Sequence, residues 1–212
     1  MNTGRAHEEG WAKHSQPTTW RDPLDPKKEK LTIRALRELG DPASIRLLDF
    51  GCGTGAMTRF FVDRGYRVEG LDISPSIIEQ NRKMSPGIKF HLVEPEERSE
   101  IADGSFDVVF SSEVVEHVYD VMAVFEEFRR ILRPGGLLIL TTPYHARIKN
   151  VVTALVAFEK HFDPTWQHIR FWTRKSLTDV ASRHGLTPIR WQGIGRFWPL
   201  YKSFFVVLRK DS

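Results

Sequence analysis

The sequence predicts an α/β domain with a doubly wound, mostly parallel sheet and helices on both faces. Three observations carry this. Short apolar runs alternate with amphipathic helical stretches over roughly 100 residues. A glycine-rich turn, Gly51-Cys52-Gly53-Thr54-Gly55, joins the first such run to the next helix. The runs are short and nearly all apolar, as strands covered on both sides are.

The elements follow in order. Residues 1–26 are polar, with Trp11, Trp20, Pro17, Pro23 and Pro26, and read as an N-terminal arm or lid. Leu31, Leu36 and Leu39 mark a helix over 27–39, stopped by Gly40-Asp41-Pro42. Ile45 to Phe50 is a buried strand. Met57 to Arg64 is a helix ending at Gly65, and Tyr66 to Ile73 a second strand. Ser74 caps a helix from Pro75 to Lys83. Strands follow at Ile88 to Val93 and, after the turn Asp103-Gly104, at Phe106 to Phe110. Val121, Val124, Phe125, Phe128, Ile131 and Leu132 form one helical face, broken by Pro134-Gly135-Gly136 before a strand at Leu137 to Leu140. Helices are expected over Lys149 to Phe158 and over Arg174 to His184, the latter capped by Thr173 and closed by Gly185. Late strands lie near Pro188 to Gln192 and Phe204 to Leu208.

Composition sets the bounds. The chain has 212 residues, 41% hydrophobic and 27% charged, enough for one domain with a real core. The reading is one domain over 27–212, with 27–145 as cofactor-binding core and 146–212 as substrate-side elements and last strands. A single cysteine, Cys52, excludes an internal disulfide framework and a cysteine-rich zinc site. No run reaches the about 18 apolar residues of a membrane helix, and Met1 to Trp20 lack a secretory core. A cytoplasmic location is expected. The net charge of +4 is scattered, unlike the concentrated basic stripe of a nucleic-acid binder.

The glycine turn carries the first chemistry. Glycines let the backbone turn sharply and let a ligand approach main-chain atoms. Asp72 ends the next strand, where a carboxylate can accept both hydroxyls of a ribose. Gly51-x-Gly53-x-x-Ala56 also fits a relaxed dinucleotide fingerprint, so the turn alone leaves the cofactor open.

Four segments together resemble class I S-adenosylmethionine-dependent methyltransferases. Asp49-Phe50-Gly51-Cys52-Gly53-Thr54-Gly55 resembles their first motif. Val68-Glu69-Gly70-Leu71-Asp72-Ile73-Ser74 resembles the second strand. Asp103-Gly104-Ser105-Phe106-Asp107-Val108-Val109 resembles the approach to the fourth, and Leu132-Arg133-Pro134-Gly135-Gly136 the turn before the fifth. The resemblance implies a Rossmann-like fold of about seven strands, the last one antiparallel, and S-adenosylmethionine as methyl donor. It implies Asp49, Gly51, Cys52, Gly53 and Gly55 along the methionine and ribose, Asp72 on the ribose and Ile73 against the adenine. It also implies Glu94 near the adenine amino group, in place of the family's usual aspartate, Ser111 at the cofactor, and Lys28 near its carboxylate. An NAD-dependent oxidoreductase becomes a minor alternative.

Ser111-Ser112-Glu113-Val114-Val115-Glu116-His117 follows the fourth strand, where ligands lie in such sheets. If Glu113 opens a helix, Glu116 and His117 share its face. Two carboxylates and an imidazole suit a divalent ion such as Mg, Mn or Zn. The Glu-x-x-Glu-His pattern is similar to that of ubiquinone-biosynthesis O-methyltransferases and of small-RNA 2′-O-methyltransferases. The latter implies a metal held by Glu113, Glu116, His117 and a further histidine, His168. Glu116, His117 and His168 are thus the catalytic candidates, with His168 the general base where it is not a ligand.

A metal-assisted methyl transfer suits an acceptor with neighbouring hydroxyls, a phenol, a quinol or a sugar. The expectation is a small-molecule O-methyltransferase. RNA 2′-O-methylation, metal-free N- or C-methylation and a cofactor-binding protein without transfer are the alternatives. Trp166, Phe171, Trp172, Trp191, Phe197, Trp198 and Tyr201 are expected near the acceptor, and the 197–205 stretch is a candidate peripheral membrane contact.

Overall fold

The computed structural model describes residues 22–95, 97–161, 163 and 168–212. Met1 to Arg21, with Trp11 and Trp20 of the expected lid, lie outside the described residues, as does Trp166. Helix α1 spans Asp25–Leu36, β1 Arg46–Phe50, α2 Ala56–Val62, β2 Arg67–Asp72 and α3 Pro75–Met84. Then come β3 Lys89–Leu92, β4 Phe106–Ser112, α4 Val121–Ile131 and β5 Leu132–Pro143. The chain ends with α5 Arg147–Val156, α6 Phe158–His161, α7 Arg174–Arg183, β6 Leu186–Ile194 and β7 Ser203–Lys210.

Local chemistry sets most boundaries. Pro26 in the first turn presets φ for α1. Ser74 Oγ accepts from Ile77 N at the start of α3, as its sequence position predicts. Asp120 Oδ1 accepts from Met122 N and Ala123 N at 3.0 Å and caps α4. Thr173 and Ser176 exchange side-chain and backbone bonds in a capping box on α7.

Among the described residues the strands form one seven-stranded sheet in the order β3-β2-β1-β4-β5-β7-β6. The first five run parallel, and β7 pairs antiparallel with both β5 and β6. Successive strand residues face opposite sides. Leu48, Val109, Leu138 and Val206 pack with Phe125 and Phe128 of α4 and Leu177 of α7. Leu47, Val108, Ile139 and Val207 pack on the other side with Leu31 and Leu36 of α1 and Phe60 and Phe61 of α2. Strand order reverses between β1 and β4, which opens a crevice at their carboxyl ends.

Three expectations need correction. Pro134-Gly135-Gly136 does not separate helix from strand. It lies inside β5, where the pairing jumps from Phe106↔Leu132 to Val108↔Leu137. Helix α5 begins two residues earlier than expected, and Ala157 divides it from α6. No helix begins at Glu113, which has φ 55 and turns the chain out of β4 through a left-handed conformation. No described helix is long and apolar enough to cross a membrane.

Candidate active site

The glycine turn sits at the carboxyl end of β1. Gly51, Gly53 and Gly55 have φ of 76, 47 and 73°, a region costly for residues with a Cβ. Gly51 N and Cys52 N donate to Leu71 O at 2.8 and 2.9 Å, which ties the turn to β2. Asp72 Oδ2 accepts from Gly53 N at 2.9 Å, and Oδ1 from Ser74 N at 3.0 Å. Burial pushes the Asp72 carboxyl up, against these main-chain bonds, which hold it down.

Asp49 lies beneath the turn and is buried. Its Oδ2 accepts from Thr58 Oγ1 at 2.6 Å, so it fastens β1 to α2. Burial, with the Asp72 charge adding to it, pushes its carboxyl up to about 7. Cys52 packs with Ile78 and Phe90, and burial pushes its thiol well up, so it is no nucleophile. Ile73 is half-buried beside Asp72. Glu94 is exposed just past β3.

Two residues absent from the sequence expectations hold the turn from outside. Asn81 Nδ2 donates to Gly53 O at 2.7 Å, and Arg59 Nη2 to Thr54 O at 2.9 Å. Asn81 is one of two buried residues on α3, three positions after Ile78. A polar residue on the apolar face of that helix was the available signal.

The acid–histidine segment adjoins the turn, for a Cβ on Gly51 would collide with Val114. Glu113 N donates to Thr141 O at 2.9 Å, and Glu113 Oε1 accepts from Thr141 Oγ1 at 2.9 Å. Lys28, expected near the cofactor carboxylate, is buried here. Its Nζ donates to Asp22 Oδ2 at 2.7 Å and to Ser112 Oγ at 3.1 Å, and pairs with Glu113 Oε1 at 3.3 Å. Burial works against its charge, but Glu113 and Asp22 outweigh that and hold the ammonium above the usual lysine range. Ser111 is fully buried on β4, and its hydroxyl has no partner among the described residues.

Glu116 is fully buried. Its Oε2 accepts from Thr142 Oγ1 at 3.0 Å, while Oε1 has no hydrogen-bond partner among the described residues. Burial, then the neighbouring Glu113 charge, pushes its carboxyl well up. The 168–172 segment is laced onto this turn. Ile169 N and Arg170 N donate to Glu116 O at 3.0 and 3.1 Å, and Trp172 Nε1 to Val115 O at 3.1 Å. That lacing sets the His168 ring 4.8 Å from the His117 ring. Burial pushes His168 down, which favours the neutral imidazole that a metal or a proton needs.

Ligand atoms of Glu116, His117 and His168 lie within 4.8 Å of one another. Glu113 is outside that group, held by Lys28 and Thr141. The mixed oxygen and nitrogen donors, with the orphaned Glu116 Oε1, fit a divalent ion. The aromatic tail divides. Trp172 is core, and Trp191 packs on Phe204 at 5.2 Å. Phe171 stacks edge-on to His145 at 5.0 Å, and Tyr201 to Tyr144 at 5.7 Å. The 197–205 stretch is not one surface, since Phe197 and Trp198 are exposed but Phe204 and Phe205 are buried in β7.

This crevice, with its glycine turn, the acid at the end of β2 and its polar cluster, is what a nucleotide-type cofactor and a second substrate require of such a sheet. The chain matches the family described as "Methyltransferase domain" over residues 24–190. It belongs to that family, the class I S-adenosylmethionine-dependent methyltransferases. It is 32% identical over 194 residues to thiol S-methyltransferase TMT1B of Homo sapiens, covering 81% of this chain and 76% of that one. It is 30% identical over 158 residues to the ubiquinone biosynthesis O-methyltransferase of Colwellia psychrerythraea, covering 71% of this chain and 64% of that protein's length. Among solved structures, it is similar to the putative methyltransferase in a complex with the Haloferax volcanii Trm112 activator. The TM-score is 0.73 at 19% identity, over 98% of this chain and 97% of the other. A Burkholderia thailandensis 1,6-didemethyltoxoflavin-N1-methyltransferase, solved with S-adenosylhomocysteine, matches with TM-score 0.65 at 17% identity, over 87% and 78% of the two chains.

Proposed function

We propose that this methyltransferase transfers the methyl group to an oxygen of a small molecule carrying neighbouring hydroxyls. Glu116, His117 and His168 would hold a divalent ion, Mg, Mn or Zn. The supporting observation is the convergence of these three side chains around a buried carboxylate oxygen, Glu116 Oε1, that has no hydrogen-bond partner among the described residues and lies 4.0 Å from His117 Nε2. Similarity to a ubiquinone biosynthesis O-methyltransferase supports oxygen as the acceptor atom. When bound, such an ion lowers the pKa of an acceptor hydroxyl and fixes its direction.

The chain's own residues do the rest. The glycine turn and Asp72 are assigned to the cofactor, with Asp72 exchanging main-chain donors for ribose hydroxyls. Thr142 aims Glu116, and the 168–172 segment aims His168. The acceptor oxygen would take the methyl in line from the sulfonium as the carbon–sulfur bond breaks and the thioether leaves, its hydroxyl proton passing to water where an ion holds His168. Where no ion engages His168, its neutral ring is the proton acceptor.

Calorimetric titration of Mg²⁺, Mn²⁺ and Zn²⁺ into S-adenosylhomocysteine-loaded protein tests the reading. Wild type should bind at least one ion, and Glu116→Ala should bind it at least about tenfold more weakly. Equal binding by both, or none by wild type even with catechol present, sinks the metal assignment. A short RNA with a free 3′-terminal diol, added at low and high salt, examines the RNA reading, since phosphate contacts weaken steeply with salt.

A further inference from the structure

The apolar residues of α5 are spaced like a core-facing stripe, yet they face no core. Ile148, Val151, Val152, Leu155 and Val156 stand at i, i+3, i+4, i+7 and i+8, which puts them on one face of the helix. All five are exposed, Leu155 to 80% and Val156 to 76%. The buried residue of α5 is Lys149, whose Nζ donates to Tyr144 O at 2.5 Å and to Lys202 O at 3.4 Å. The helix is therefore fastened by hydrogen bonds to main-chain carbonyls, and its stripe is left over. Single exposed apolar side chains are ordinary, but a contiguous face of them marks a contact.

The chain itself narrows what covers that face. Residues 1–21 have Met1, Trp11 and Trp20 as their large apolar side chains, too few and too far apart to match a stripe of five. A membrane-surface helix carries a polar face rich in lysine and arginine. Here the polar side is Asn150 and Thr153, without charge. The charges lie at the two ends of the stripe and are opposite. Arg147 opens the helix and Glu159 follows it in α6, and both are exposed.

A second copy of α5 answers both features. Laid antiparallel about a two-fold axis, it sets stripe on stripe and each Arg147 against the partner's Glu159. The contact is isologous, the same patch on both copies, and therefore closes at two. Antiparallel packing also sets the positive end of each helix dipole beside the negative end of the other.

We propose that this face is a homodimer interface, with α5 packed antiparallel on the partner's α5. Ten helical residues extend about 15 Å, and two such helices cover less than the about 1,200 Å² of a standard stable interface. The dimer is accordingly a weak, reversible one that forms as the chain is concentrated.

Sedimentation equilibrium of the full chain from about 1 to 500 μM, the span of a weak association, tests this. The average mass of wild type should rise from one chain towards two. Val151→Glu sets a charge in the middle of the stripe and should weaken association at least about tenfold. Arg147→Glu should weaken it about fivefold or more, by placing two acids together. Arg147→Glu combined with Glu159→Arg should restore it to within about twofold. These side chains are exposed, so urea midpoints should match wild type and show the variants folded. Wild type that stays one chain at every concentration overturns the proposal. A monomer that instead sediments with phosphatidylglycerol vesicles also overturns it and gives the face to a membrane. Association that survives in Val151→Glu puts the interface elsewhere, and a double variant no better than Arg147→Glu removes the antiparallel arrangement.

Discussion

Asp49 holds a proton well into the range where most aspartates have lost theirs. Its ordinary value is 3.8 and burial takes it to about 7. Between these values the folded chain binds more protons at this site than the unfolded chain. Stability from this group therefore falls as pH rises from about 4 to about 7, and is flat above. Asp49→Asn keeps an oxygen for Thr58 and removes the ionisation. The variant should gain on wild type as pH rises through that window, read as urea midpoints of the cofactor-free protein. Parallel profiles for the two would show that Asp49 is not the titrating group. Lys28 and Glu113 teach the same lesson at short range. They pair with one another at 3.3 Å, and Glu113 Oε1 also accepts from Thr141 Oγ1 at 2.9 Å.

The glycine turn is an element whose shape depends on its neighbours. A Cβ on Gly55 would lie 2.6 Å from Asn81 Oδ1 and 2.8 Å from Arg59 Nη1, on a residue whose φ is 73°. Gly55→Ala is thus strained by its backbone and also pushes on both side chains that staple the turn. We expect at least about tenfold weaker S-adenosylhomocysteine binding by calorimetry, the loss of one to two hydrogen bonds. Unchanged affinity would show that the staple does not shape the cofactor site. Helix caps, by contrast, read correctly from neighbouring residues alone. Ser74 and Thr173 cap their helices because a hydroxyl at that position meets an amide within the same turn. Helix α5 was misplaced because its one buried side chain is a lysine, so apolar spacing points the wrong way.

At the scale of the molecule, the cofactor crevice lies where both cores meet. Phe50 of β1 and Leu71 of β2 belong to one core, Leu47 and Phe110 to the other. A ligand that binds this crevice only when both cores are formed stabilises the whole fold. At about 100 times its Kd, S-adenosylhomocysteine should add about 2.7 kcal/mol to unfolding. The gain should be smaller for Asp72→Ala at the same ligand concentration, measured by chemical denaturation. No gain in wild type would remove the cofactor from this crevice.

Through its resemblance to a known family the sequence implied the methyl donor, and by itself it determined the alternation of strands and helices, the glycine turn and the caps. These depend on residues a few positions apart, through side-chain period, backbone freedom and first-turn hydrogen bonds. The tertiary structure decided what the polar side chains face. Lys28 meets Ser112 across 84 positions, and Trp172 meets Val115 across 57. Glu116, His117 and His168 converge because one segment is laced by its backbone onto a distant turn, and Glu113 is held by Lys28 and Thr141. Such pairings are chosen by whole-chain packing, since a buried charge takes whichever partner the fold brings within reach.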